Sequence, residues 1–112
     1  MLPGAVAVVA GVLVRPEIVA WWRQAMADLE TADVLLRAGR YYAVSWFAQQ
    51  AVEKGLKALY IERRGVLAPR THDLRFLATE VMVPAWLLAD ITLINPAFEP
   101  PDIPITRKGL RQ

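Results

Sequence analysis

The stretch Phe47–Leu59, FAQQAVEKGLKAL, decides the fold. Placed on a helical wheel at about 100° per residue, Ala43, Val44, Phe47, Ala48, Ala51, Val52, Gly55, Ala58, Leu59 and Ile61 cover more than half the circumference. A helix with so wide an apolar arc has neighbours on several sides, so it is predicted to be central. The remaining arc holds Gln49, Gln50, Glu53, Lys57 and Arg64, together with Trp46. Polar side chains of this length are rarely buried without partners. Glu53 precedes Lys57 by four residues, the favourable order for an ion pair on a helix. The stripe Gln49, Gln50, Glu53 and Lys57 is therefore expected to face a cleft or another subunit with its hydrogen bonds paired. Ala48, Ala51, Gly55 and Ala58 thin the apolar arc and are expected to let neighbouring helices approach closely.

The rest of the chain extends this pattern in both directions. The central helix is predicted over Tyr41–Arg64, stopping before Gly65. Upstream, Pro16 suits a first helical position, and Ile18, Trp22, Ala25, Leu29, Ala32 and Leu36 recur at intervals of three and four, giving an amphipathic helix closed by Gly39. Downstream, Pro69 imposes an extended approach, and Thr71 can cap a third helix from His72 to about Met82, with Asp73 in its first turn. Pro84 starts a fourth helix, Ala85 to about Ile94, which Pro96 ends. No segment alternates with period two, and no Asn-Gly or Asp-Gly hairpin signal occurs. The fold class is all-α: an antiparallel up-and-down bundle of about four helices joined by short loops.

Three regions follow. Residues 1–15 form an apolar arm, residues 16–95 the bundle, and residues 96–112 a Pro-rich basic tail that is extended or disordered. The arm lacks the basic region of a secretory signal and is too short, and too interrupted by Pro3, Gly4 and Gly11, to span a membrane. It is expected to pack on the domain or a neighbour, or to be disordered; a start codon placed too far upstream would look the same.

Composition narrows the chemistry. The 112 residues include no cysteine, which excludes disulfides, thiol nucleophiles and thiolate zinc sites and suits a reducing cytoplasm. A single histidine, His72, excludes any site that needs two imidazoles from one chain, so no metal and no cofactor is expected. The net charge is +2, but the basic residues cluster: Glu53–Arg75 holds six Lys or Arg against three acids, and the tail adds Arg107, Lys108 and Arg111. A basic face of this kind attracts phosphate. No glycine-rich phosphate loop is present. Ser45 is the only serine and reads better as a small residue at a helix contact than as a nucleophile. Glu53 with Lys57 could exchange protons, although such pairs are more often structural. His72, between Arg70 and Asp73 in their neighbourhood of charge, is the best single chemical candidate, against the plainer reading of a capped helix start.

With the helices placed, the segment from Trp21 to Asn95 resembles the HEPN domain of bacteria and archaea. The resemblance rests on Ala25, Asp28 and Leu29 in the first helix with Gly39 and Tyr41 at its exit, then AQQA (Ala48–Ala51), Glu53-Lys54 and LKAL (Leu56–Leu59), then THDL (Thr71–Leu74). It implies a bundle shaped like the substrate-binding C-terminal domain of kanamycin nucleotidyltransferase. It further implies dimerisation or higher oligomers, a partnership with a minimal nucleotidyltransferase in toxin-antitoxin pairs, and nucleotide or RNA binding. Some members of the family are metal-independent ribonucleases whose arginine precedes a histidine by four to six intervening residues. For His72 that arginine would stand at 65, 66 or 67, where Gly65, Val66 and Leu67 are found; Arg64 misses by one and Arg70 is too near. The chain also departs from the family after the fourth helix, where Phe98 lies near an expected tyrosine.

The leading expectation is thus a cytoplasmic HEPN subunit, a binding module more than an enzyme and with no membrane association, whose Gln49, Gln50, Glu53, Lys57 and Arg70 serve nucleotide or RNA binding or an interface. The alternatives are a metal-independent ribonuclease toxin using His72 with Arg64 or Arg70, and a purely structural oligomer.

Overall fold

The computed structural model describes residues 7–9 and 12–96. Four helices follow one another: α1 (Pro16–Arg37), α2 (Tyr41–Arg64), α3 (Leu74–Glu80) and α4 (Ala85–Ile94). The architecture is a helical bundle, as the apolar periodicity predicts. Helices α1 and α2 form a long antiparallel hairpin that dominates the packing. Its turn runs through Gly39, whose φ of 74° is a left-handed conformation that glycine adopts without strain. Gly65, at φ 70°, ends α2 in the same way, its amide donating to the Ile61 carbonyl at 2.8 Å. Pro16 opens α1, and Pro84 directly precedes α4.

The third helix is shorter than expected. Asp73, not Thr71, is its N-cap, with the carboxylate accepting from the Phe76 amide at 3.2 Å, while the Thr71 hydroxyl accepts from the Asp73 amide. The helix stops at Glu80 because Met82 takes a left-handed conformation (φ 57°) that turns the chain toward Pro84.

Residues Ala7–Val9 and Val12–Val14, which fall in the apolar arm, pair as a two-stranded antiparallel sheet, β1 and β2, with Val9 opposite Val12. This corrects the expectation of a chain without strands. Three-residue strands inside a continuous apolar run show no alternation to detect, although their β-branched valines favour extended backbone. The expected extended or disordered tail lies, beyond Pro96, outside the described residues.

The core sits at the far end of the hairpin from the Gly39 turn. Leu56 on α2, Leu74, Leu77 and Ala78 on α3, Val81, and Ile91 on α4 form one buried cluster. Helix α1 contributes only Ala25 and Ala32 to the buried set, and Trp22, Leu29 and Leu36 of its predicted apolar face remain about half exposed. The spacing located the face correctly; the structure leaves part of it uncovered, because α1 packs chiefly on α2. Gly55 also departs from its expected role. A Cβ there would meet nothing nearer than Trp22 Cζ3 at 4.0 Å, so no close helix approach depends on it.

Candidate functional site: a histidine held by a buried ion pair

The polar stripe of α2 divides in two. Glu53 and Lys57 are buried, with side chains 6% and 8% exposed, and the Lys57 ammonium donates to Glu53 Oε2 at 3.1 Å. The ammonium also lies 5.1 Å from the centroid of the Trp21 ring on α1, a cation–π distance. Gln49 and Gln50, one turn earlier, are half-buried and do not line the cleft described below.

The second oxygen of Glu53 meets His72. Nδ1 of the imidazole lies 2.8 Å from Glu53 Oε1, although the residues are nineteen positions apart. The chain achieves this by doubling back: Gly65 turns it at the end of α2, and Pro69 keeps it extended as it runs beside the helix. A carboxylate can only accept, so Nδ1 carries the hydrogen and donates, which leaves Nε2 on the opposite edge of the ring. The His72 side chain is 81% exposed, so Nε2 faces water.

Asn95 fixes the segment that carries His72. It is buried at the end of α4; its Oδ1 accepts from the Leu74 amide at 2.9 Å and its Nδ2 donates to Asp73 Oδ1 at 2.8 Å. This clasp binds the start of α3 to the end of α4. Sequence reading missed Asn95, whose only signal was a side chain able to donate and accept, placed before Pro96. It also missed Trp21 as a site residue.

Beside His72 opens a cleft of about 450 Å³ lined by Trp21, Lys57, Arg70, Thr71, His72 and the loop residues 67–69. Such a volume suits a small ligand. Lys57 is already matched by Glu53, so the uncompensated positive charge at the cleft rests on Arg70, which has no ion-pair partner among the described residues. The structure therefore brings together Glu53, Lys57, Arg70 and His72 from the expected set. It does not bring Arg64 to His72. The Arg64 guanidinium donates to the Glu80 carboxylate at 2.6 Å and to the Glu80 carbonyl at 3.0 Å. Arg64 also lies eleven residues beyond Glu53, about 16 Å along the helix axis.

Chemically, a carboxylate-held imidazole beside a cation and an indole face can bind phosphate, accept or donate a proton, or act as a nitrogen nucleophile. No group of three or more histidine, aspartate or glutamate side chains that could hold a metal ion occurs among the described residues. None of the described helices is long and apolar enough to cross a membrane.

Helical hairpin, short capped third helix and THDL segment together define a small helical domain. The family model for the HEPN domain matches residues 18–107, and the chain belongs to that family. The match runs past Asn95 into the tail, further than the motifs alone reach. Neither the curated proteins nor the solved structures contain a match to this chain.

Proposed function

We propose that this HEPN domain is a binding subunit: it dimerises, takes a nucleotide or a segment of RNA in the cleft of Trp21, Arg70 and His72, and works beside a minimal nucleotidyltransferase in a toxin-antitoxin type of pair. The observation that carries the reading is the juxtaposition around one cleft of the Trp21 indole, the Arg70 guanidinium, which has no ion-pair partner among the described residues, and an imidazole held by Glu53. Stacking on an aromatic ring contributes about 1–3 kcal/mol per base, and Arg70 supplies the charge for the phosphate. Family membership supports a nucleotide- or RNA-related role. Dimerisation is supported by the half-exposed Trp22, Met26 and Leu29, which border an apolar groove of about 400 Å³ between α1, α2 and α4.

Titration of tryptophan fluorescence with AMP, ATP and a short single-stranded RNA at two salt concentrations tests the binding. Affinity should fall with salt, and Arg70→Ala should weaken it and lower the salt slope by about one. Absence of binding to all three ligands, with and without the nucleotidyltransferase, refutes the reading. Sedimentation of wild type and Trp22→Glu tests the dimer.

The Glu53–His72 hydrogen bond favours one second reading, metal-independent RNA cleavage with His72 as the proton-transferring group and Arg70 in place of Arg64. It requires cleavage in EDTA that His72→Ala abolishes.

A further inference from the structure

We infer that His72 is a phosphoryl acceptor, its Nε2 forming a covalent bond to phosphorus supplied by an activated phosphate. Three features of the site point to nucleophilic rather than only electrostatic use of the ring. Nδ1 is occupied by Glu53 Oε1 at 2.8 Å, which fixes the tautomer and puts the lone pair on Nε2. Glu53 is in turn buried and held by Lys57, so the ring rests on a rigid support while remaining 81% exposed at its other edge. Arg70, beside it in the cleft, can offset the negative charge of an arriving phosphate. A nucleophile oriented by a second group, with that group oriented by a third, is the general arrangement for covalent catalysis.

The step balances without an oxidant or a reductant. The Nε2 lone pair attacks phosphorus and forms the N–P bond. The P–O bond of a phosphoanhydride breaks, and its electron pair leaves on the bridging oxygen. The positive charge that develops on the ring is shared at Nδ1–H, facing the Glu53 carboxylate, which can take the proton as the phosphoimidazole becomes neutral. The inference rests on the same phosphate-attracting cleft as the function proposed above, but the bond it predicts is read separately from binding.

Because His72 is the only histidine in the chain, any phosphohistidine reports on this site alone. The full chain is incubated with potassium phosphoramidate, a small donor whose leaving group is ammonia, and followed by intact mass and ³¹P NMR. The expected result is a single adduct at Nε2, formed about tenfold faster than on N-acetylhistidine, as oriented and activated nucleophiles allow. Glu53→Gln, checked for helical circular dichroism, should bring the rate back toward that of the small molecule. A wild-type rate no greater than that of N-acetylhistidine, or a mixture of Nδ1 and Nε2 adducts, overturns the inference without reference to any variant. Fluorescence titration of the same samples separates the two proposals: nucleotide binding without enhanced N–P formation overturns only this one, and enhanced N–P formation without nucleotide or RNA binding overturns only the earlier reading.

Discussion

Replacing Glu53 by glutamine removes the charge that balances Lys57 inside the protein while nearly preserving side-chain volume. Both side chains are more than nine-tenths buried, so the Lys57 ammonium would be left with the Trp21 ring as its main compensation. Breaking a buried pair from one side costs about 3–5 kcal/mol, a large part of the roughly 5–15 kcal/mol that holds a domain folded. Lys57→Met should cost less, near the lower end of that range, because Glu53 keeps His72 as a hydrogen-bond partner. The double variant Glu53→Gln/Lys57→Met should be far more stable than the sum of its parts predicts, with a coupling of about 2 kcal/mol or more, since neither charge is then stranded. Asp33 and Arg37 provide an internal control. They pair at 2.7 Å with the same four-residue spacing, but their side chains are 60% and 70% exposed. Asp33→Asn should therefore cost no more than about 0.5 kcal/mol. Urea unfolding followed by circular dichroism measures all four variants against wild type. Single-variant losses at the Glu53–Lys57 pair below about 1 kcal/mol, with additivity in the double variant, would refute the argument that burial makes this pair different.

Three further outcomes test the packing. Asn95→Ala leaves the Leu74 amide without its partner in a buried position and should cost about 1–3 kcal/mol in urea unfolding, with faster hydrogen exchange at Leu74. Gly55→Ala should stabilise α2 by about 0.5–1 kcal/mol, read as a raised melting temperature, because the new Cβ reaches only van der Waals distance from Trp22; a loss would mean that close approach at Gly55 is required after all. Met82→Asn should raise stability by about 0.5–1 kcal/mol in the same assay, since asparagine tolerates the left-handed backbone at this exposed position better than methionine does.

Helices α1, α2 and α4 were legible because their limits are written in residues that act locally. Proline before α4 or at the first position of α1, and glycine after α1 and α2, impose backbone geometry irrespective of what packs on them. The start of α3 was blurred because Thr71 and Asp73 can both cap; Asn95, twenty-two residues away, donates to the Asp73 carboxylate and holds the start of α3 in place. The β1–β2 pair was hidden in a run too uniformly apolar to show a period. At the site, the structure sets Glu53, Lys57 and Arg70, expected as parts of a polar stripe, beside His72, expected with Arg64, and it separates from them Arg64, which turns to Glu80, and Gln49 and Gln50, which stay off the cleft.

By itself the sequence determined the helical class, the breadth of the apolar arc of α2 and the ion-pair spacing of Glu53 and Lys57, all properties of residues within one or two helical turns of each other. The acid-first spacing alone is the same in Glu53–Lys57 and Asp33–Arg37, and only the wide apolar arc around the former pointed to a cleft or a subunit contact. Only the tertiary structure decided that one is solvated and the other lies beneath Trp21 and His72, because burial depends on what the rest of the chain lays over a helix. The same holds for His72: its hydrogen bond to Glu53 exists because the loop after Gly65 runs back along α2 and Asn95 pins its end.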